Sequence, residues 1–171
     1  NVDLKSFSED FYREHCGARL QPVLDAIRRM HESGIHVEVT TLVIPGWNDG
    51  EDELRRIAAY IGSVSGEIPW HVSRFHPDYK VTDLNPTPGG TILKALAIGK
   101  DEGLSHIFAG NIAAGEPDTV CPGCGKVLVR RRGYSVGVSG LVADESSIHG
   151  LTAGGKCEAC GEVLSVRVAV E

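Results

Sequence analysis

Residues 35–46 carry the sequence IHVEVTTLVIPG, a β-rich run that ends in a Pro-Gly turn. On either side of this run the pattern is helical, because apolar residues recur every three or four positions over residues 20–33 and 54–61. Further strand candidates are residues 1–5, 70–75 and 104–109, with another helical segment over residues 87–103. Strands that alternate with helices predict βαβ units, so we expect an α/β fold with parallel strands.

Two helix starts are predicted from local signals. Asn48 followed by Glu51 is typical of a capped helix start. Thr87 and Pro88 fit the N-cap and the first helical residue of the last helix. Both residue pairs stand directly before apolar, helix-patterned segments.

The composition is that of a soluble globular protein. Of the 171 residues, 42% are hydrophobic and 23% are charged, and the net charge is −6. These values exclude intrinsic disorder, and no apolar run approaches the roughly 18 residues of a membrane span. A negative chain is poorly suited to coating nucleic acid. We therefore expect neither a membrane protein nor one that coats nucleic acid. Five cysteines, four of them in CxxC units, suit a metal site in a reducing cytosol better than secreted disulfides, so we expect a cytoplasmic protein.

The character of the chain changes near residues 115–117. Beyond them the sequence has short β-like pieces, many glycines and two CxxC units, and it shows no helical pattern. We predict two domains, residues 1–115 and residues 119–171.

The two CxxC units form the strongest chemical signal, and their cysteines are Cys121, Cys124, Cys157 and Cys160. A glycine follows the second cysteine of each pair, which lets the backbone fold into a zinc knuckle, and two knuckles complete a site of four thiolates. We therefore expect structural Zn²⁺ in a small β-rich zinc-ribbon domain, which needs metal because it has few large apolar side chains. Rubredoxin-type iron and redox-active dithiols are the alternatives. The residues between the pairs, 125–156, are expected to form an extended hairpin.

Two weaker features accompany this site. Cys16 stands alone and is expected to be a small thiol, buried or half-buried. The basic run at residues 130–132 is expected to be a solvated turn or strand edge, with a contact to nucleic acid or an acidic partner as the alternative.

Polar residues recur at alternate positions of the predicted strands, where side chains share a face. They are Asn1, Asp3, Lys5, Glu38, Thr40 and Arg74, with His76 just past a strand end. Parallel strands covered on both faces should be almost wholly apolar, so this pattern favours a partial barrel whose inner face holds a polar ligand. The alternative is that single residues lie at strand edges or in ion pairs such as Asp3 with Lys5. His71 has no partner at metal-ligand spacing and is expected in a core or surface role.

Three segments carry a resemblance to a known family, namely residues 3–5 (DLK), 42–49 (LVIPGWND) and 75–77 (FHP). They resemble the activating-enzyme branch of the radical SAM enzymes, which includes pyruvate formate-lyase activating enzyme. The whole chain is similar to the radical SAM member of the AmmeMemoRadiSam system. The features that carry this resemblance are the NVDLK start, the RFHPDY segment, the Gly-Asn after the last strand and the two CxxC knuckles.

The resemblance implies the C-terminal half of a six-stranded partial (β/α) barrel, followed by the zinc ribbon. In that family a [4Fe–4S] cluster reduces S-adenosylmethionine, and the resulting radical abstracts hydrogen from a substrate. Matched by position, Asp3, Lys5 and His76 would contact S-adenosylmethionine. Glu38, Thr40 and Arg74 would line the substrate cavity. Thr40 stands where the family often has an arginine, which Arg74 would replace.

One departure decides what this chain can do alone. The CxxxCxxC motif that holds the cluster is absent from these residues, as is the glycine-rich turn that binds the amino group of S-adenosylmethionine. We expect the chain to be the C-terminal part of such an enzyme, inactive by itself. Its partners would be proteins of the AmmeMemoRadiSam system or a protein substrate. The alternatives are a zinc-ribbon binding module and a metal-independent barrel enzyme with Lys5 as the nucleophile.

Overall fold

A computed structural model describes residues 1–111, 118–132, 135–149 and 152–169. The chain divides into two compact units, Asn1–Ala113 and Ala114–Glu171. The predicted boundary near residues 115–117 lies outside the described residues.

The first unit is an α/β unit built on a parallel sheet. Its strands are β1 (Val2–Asp3), β2 (Val39–Val43), β3 (Trp70–Arg74) and β4 (Ile107–Gly110), side by side in that order. Its helices are α1 (Glu9–Phe11), which a π-helical turn continues over Tyr12–Cys16, then α2 (Leu20–Glu32), α3 (Glu51–Val64) and α4 (Gly89–Asp101). All three strand pairs are parallel, as predicted.

One face of this sheet forms the core with the helices. Val39 and Val43 of β2 and Trp70 and Val72 of β3 are fully buried, together with Leu54, Ile57 and Ile61 of α3 and Ile92 of α4. The predicted alternation along β2 is therefore confirmed, because every second residue from Val39 to Val43 is buried. Thr41 also lies on this face, where its hydroxyl donates to the carbonyl of Leu4 and accepts from the indole N–H of Trp70.

Both predicted helix starts are wrong. Helix α3 begins at Glu51 with Gly50 as its N-cap, and α4 begins at Gly89 with Pro88 as its N-cap. Asn48 and Thr87 are instead buried, and their side chains bond to the backbone of strand ends. The sequence also gave no signal of α1 and its π-helical turn, which follow β1.

The second unit consists of two antiparallel sheets among its described residues. One sheet has the order β5 (Thr119–Val120), β6 (Val127–Arg132), β7 (Ser135–Val138); the other has the order β10 (Val163–Ala169), β9 (Thr152–Cys157), β8 (Leu141–His149). The segment between the cysteine pairs is thus shared between two sheets, and the predicted single extended hairpin is wrong. Residues 130–132 pair with β7 beyond the last β5 partner at Val129, and Arg130 is exposed, which fits the predicted strand edge.

Candidate functional site

The uncovered face of the parallel sheet carries polar side chains in register. We call it the polar face and define it by Asp3, Thr40 and His71, whose strands pair Asp3 with Thr40 and Thr40 with His71. The side chains of all three point away from the helix-covered face, because they alternate with buried neighbours along each strand.

Asp3 and Lys5 form an ion pair at the end of β1. The Lys5 Nζ lies 3.1 Å from an Asp3 carboxylate oxygen, and the side chains are 41% and 53% exposed. The Tyr12 hydroxyl fixes the same segment, since it accepts from the backbone N–H of Lys5 at 3.0 Å. Burial raises the pKa of Tyr12, so this hydroxyl stays protonated. The structure therefore shows the Asp3–Lys5 ion pair that the sequence analysis gave as the alternative to a ligand contact. The pair places one cation and one anion, both partly exposed, at the C-terminal edge of the sheet.

Glu38 joins two histidines on the polar face. Its carboxylate lies 3.2 Å from His36 Nε2 and 2.8 Å from His71 Nε2, and the His71 ring stacks on Phe108 at 5.3 Å. Burial alone would raise the pKa of Glu38, but hydrogen bonds and charge from the two histidines outweigh it and lower that pKa. His71 thus has a specific place beside Glu38, which the sequence did not indicate. Only the strand register reveals it, because His71 stands opposite Thr40.

The other two predicted substrate-lining residues, Thr40 and Arg74, lie on opposite faces of the parallel sheet. Thr40 exchanges two hydrogen bonds with the side chain of Asn1, at 3.0 and 3.1 Å. Because side chains alternate along β3, the Arg74 side chain shares the face of Trp70 and Val72, opposite to Ser73 on the polar face. Its guanidinium donates to the carbonyl of Thr87 at 2.6 Å. Arg74 therefore connects β3 to the segment before α4, and its parity does not place it beside Thr40.

His76 is exposed and lies two residues beyond the end of β3. It shares the C-terminal edge of the sheet with Lys5, because the carboxyl ends of parallel strands meet there. Since β2 lies between β1 and β3, the two strands are about 10 Å apart at the usual spacing of neighbouring strands.

Four cysteines converge in the second unit. The sulfurs of Cys121, Cys124, Cys157 and Cys160 all lie within 4.8 Å of one another. Cys121 and Cys160 are 3.5 Å apart, and Cys124 and Cys157 are 3.8 Å apart. Four sulfurs bound tetrahedrally at about 2.3 Å from one ion are about 3.8 Å apart, so the spacing fits a single metal ion.

Two similar knuckles position these thiols. In the first, the N–H of Cys121 donates to the carbonyl of Lys126 and the N–H of Gly125 donates to the carbonyl of Cys121, each at 2.8 Å. Cys157, Glu162 and Gly161 repeat this pattern in the second knuckle. Gly125 and Gly161 have φ angles of 73° and 80°, a left-handed conformation that favours glycine. The glycine after each CxxC is thus required by the turn, as the sequence indicated.

The thiols differ in acidity because they share hydrogen bonds. Burial raises the pKa of Cys157, but backbone N–H groups of Cys160 and Ala159 and the thiol of Cys121 outweigh it and lower that pKa to about 7. A backbone hydrogen bond at Glu162 lowers the pKa of Cys160, but its thiol neighbours outweigh that and raise it to about 12. The hydrogen bonds among the thiols therefore stabilise the Cys157 thiolate and keep the Cys160 thiol protonated. A bound cation would allow all four cysteines to ionise together.

Of the two weaker sequence predictions, the one for Cys16 is wrong. Cys16 is exposed at the end of the π-helical turn, so it is not a buried or half-buried thiol. In the basic run, Arg130 pairs with Asp118 at 3.5 Å, and Arg131 donates to the Thr119 hydroxyl at 2.7 Å. These two arginines thus connect β6 to the segment at β5.

A solved structure has a fold similar to that of this chain. The chain is similar to the crystal structure of a domain of pyruvate-formate lyase-activating enzyme from Bacteroides vulgatus, with a TM-score of 0.54 and 18% identity, covering 64% of this chain and 65% of that one. This similarity shows the fold alone.

In sequence, the chain is 37% identical over 168 residues to the uncharacterized protein MJ0808 of Methanocaldococcus jannaschii. The match covers 97% of this chain and 47% of MJ0808, so the chain spans about half the length of that curated relative. A comparison with protein-family models finds no match. In the described residues, no helix is both long and apolar enough to cross a membrane.

Proposed function

We propose that this chain is the part of a radical SAM enzyme of the activating-enzyme kind that binds S-adenosylmethionine through the later strands of a partial barrel. A zinc ribbon follows these strands. The observation that carries the proposal is the position of Asp3 and Lys5, both partly exposed, at the C-terminal edge of a parallel sheet, on the face opposite its helices. The similarity of the fold to the activating-enzyme domain supports it.

The chemistry of the ligand suits this edge. The Lys5 ammonium would pair with the carboxylate of the methionyl group, and the Asp3 carboxylate would accept from its amino group or from the ribose hydroxyls. His76 would supply a further hydrogen bond. Thr40 and Glu38 would line the substrate side of the polar face.

The proposed enzyme also needs an iron–sulfur cluster that these residues do not hold. Such a cluster supplies the electron that splits S-adenosylmethionine into a hydrogen-abstracting radical. It requires three thiolates and one open iron, whereas the four sulfurs here are spaced for one ion. We propose that the cluster ligands lie in polypeptide beyond these 171 residues, and that the partner or substrate is a protein of the AmmeMemoRadiSam system.

For the four-cysteine site we propose structural Zn²⁺. The closed set of four thiolates leaves no open position for catalysis, which is typical of structural zinc. Cys121 and Cys157 belong to the buried core cluster of the described residues of this unit, so a bound ion would join that cluster and stabilise it.

A Schiff-base role for Lys5 is less well supported. A nucleophilic lysine is usually desolvated in an apolar pocket or placed beside another cation. Lys5 is instead partly exposed and paired with a carboxylate.

The proposal is tested by titrating the protein with S-adenosylhomocysteine, a stable analogue that keeps the adenosyl and amino-acid groups. Lys5→Ala should weaken binding about tenfold or more, because a charge-assisted contact is lost. Lys94→Ala is the matched control, since Lys94 also pairs with a carboxylate, that of Glu51, but between helices α3 and α4. Absence of binding by the wild-type protein, or equal weakening by both variants, would contradict the proposal.

A further inference from the structure

A buried asparagine connects the end of β2 to the segment just beyond β1, which contains Lys5. Asn48 lies in the turn after β2 and is 1% exposed. Its side-chain NH₂ donates to the carbonyl of Lys5 at 2.6 Å and to the carbonyl of Leu42 at 2.9 Å. Its side-chain oxygen accepts from the N–H of Ile44 at 2.6 Å. Both amide protons and the carbonyl of this side chain are therefore used.

The hydrogen bond from Asn48 to Lys5 lies just beyond the last backbone hydrogen bond between the β1 segment and β2. The N–H of Leu4 still donates to the carbonyl of Thr40 in the neighbouring strand. One residue further, the Lys5 carbonyl is bound by Asn48 and the Lys5 N–H by the Tyr12 hydroxyl. The backbone of Lys5 is thus fixed by two side chains where strand pairing no longer fixes it.

We propose that Asn48 is a positioning residue for the ligand site: it holds the backbone of Lys5 so that its ammonium stays at the polar face beside Asp3. This inference rests on the proposed function for the identity of the ligand. The hydrogen bonds themselves do not depend on it. Asn48 touches no ligand group and acts through Lys5.

Thr41 provides a matched control in the same sheet. Like Asn48 it is fully buried and bonds to a carbonyl of the segment that contains β1, that of Leu4 at 2.8 Å. Thr41 also accepts from Trp70 on the helix-covered face, whereas Asn48 bonds to Lys5 itself. Thr41→Val should therefore destabilise the sheet without moving the Lys5 ammonium.

The first experiment needs no ligand. In protein labelled with ¹³C-lysine, the Lys5 Cε resonance is identified by its loss in Lys5→Arg. Asn48→Ala should shift this resonance, and Thr41→Val should leave it in place, even where both variants lower the melting temperature equally. An unchanged Lys5 signal in Asn48→Ala, or an equal shift in Thr41→Val, would overturn the inference.

Two further measurements apply if Asn48→Ala does not fold. Asn48→Asp keeps the shape and the acceptor for Ile44 but removes both donors, so it should shift the Lys5 signal as well. In the wild-type protein, the coupling across the hydrogen bond between Asn48 Nδ2 and the Lys5 carbonyl carbon should be measurable by NMR. Its absence would overturn the inference without any variant.

The second experiment separates this inference from the proposed function. Asn48→Ala should weaken S-adenosylhomocysteine binding about fivefold to tenfold, and Thr41→Val by less than about twofold. If the wild-type protein does not bind this analogue, the proposed function fails, while the Lys5 signal still decides whether Asn48 positions Lys5. If binding is lost in Lys5→Ala and unchanged in Asn48→Ala, only the inference fails.

Discussion

The Glu38 carboxylate on the polar face lies between two imidazoles, those of His36 and His71. A carboxylate accepts but does not donate, so both histidines present an N–H at Nε2 when Glu38 is ionised. In a neutral His71 ring the other nitrogen, Nδ1, is then a hydrogen-bond acceptor. The pair therefore fixes the tautomer of His71 on the face where we propose that the ligand binds.

The first prediction at the residue scale concerns the pH dependence of this pair. Because its folded-state pKa is lowered, Glu38 stabilises the fold above its unfolded pKa of about 4.3, and this contribution is lost as the pH falls through the lower, folded value. Urea unfolding of wild type and Glu38→Gln should differ by less than about 1 kcal/mol at neutral pH, since the side chain is partly exposed. The difference should shrink below about pH 4.

Asp101→Asn is the control for this experiment, because Asp101 is an exposed carboxylate at the end of α4. A Glu38→Gln difference that does not shrink as the pH falls below about 4 would show that Glu38 is not stabilised as its ionised form.

Asn48 and Thr87 show why part of the site was not predicted from sequence. Asparagine and threonine before a helical pattern are typical N-caps, because their side chains bond to free N–H groups. The same side chains satisfy backbone groups at strand ends equally well: Thr87 donates to the carbonyl of Val43 and accepts from the N–H of Phe75. The choice depends on neighbours distant in sequence. Asp3 and Lys5, in contrast, were predictable as a pair because they are two residues apart on one strand.

At the scale of elements, alternation along the strands was the most informative signal. It placed Val39 and Val43 on the buried face and Glu38 and Thr40 on the other, because side-chain direction in a strand depends only on parity. The π-helical turn over Tyr12–Cys16 has no such signature. Its position depends on the contact of Tyr12 with Lys5, a tertiary contact.

The close approach of α4 to the sheet gives the second prediction. A Cβ at Gly99 would lie 2.7 Å from Ile107 Cδ1 and 3.1 Å from the Trp70 ring. Gly99→Val should therefore destabilise the unit by about 1–3 kcal/mol, because the added carbons overpack the contact of α4 with β3 and β4. Thermal or urea unfolding measures the effect.

Gly90→Val makes the same chemical change in the first turn of α4, where a Cβ would meet nothing within 4 Å. Its effect on the free energy of unfolding should stay within about 0.5 kcal/mol. Equal destabilisation by the two variants would contradict the prediction, because a Cβ would meet Ile107 and Trp70 only at Gly99.

At the scale of the whole molecule, the two units are stabilised by different means. The first has a core of buried apolar residues drawn from β2, β3 and β4 and from the three longer helices, with Leu4 just beyond β1. Among the residues whose burial the structure describes, the second has five buried core residues, Cys121, Leu128, Val129, Cys157 and Leu164. A core this small rarely stabilises a domain unaided, whereas a structural Zn²⁺ contributes on the order of 10 kcal/mol.

The last prediction follows from this difference. Elemental analysis of the reduced protein should find about one zinc per chain. Removing the metal with a strong chelator, or substituting Cys157→Ser, should collapse the dispersed amide resonances of β8–β10 and leave those of β1–β4 in place. Cys16→Ser is the control, because Cys16 is exposed and lies in the first unit, so it should change neither the metal content nor the spectrum. A metal-free second unit that keeps its dispersed resonances would show that its two sheets are stable without the ion. Iron in place of zinc would identify the site as rubredoxin-like, since both ions accept four thiolates at this spacing.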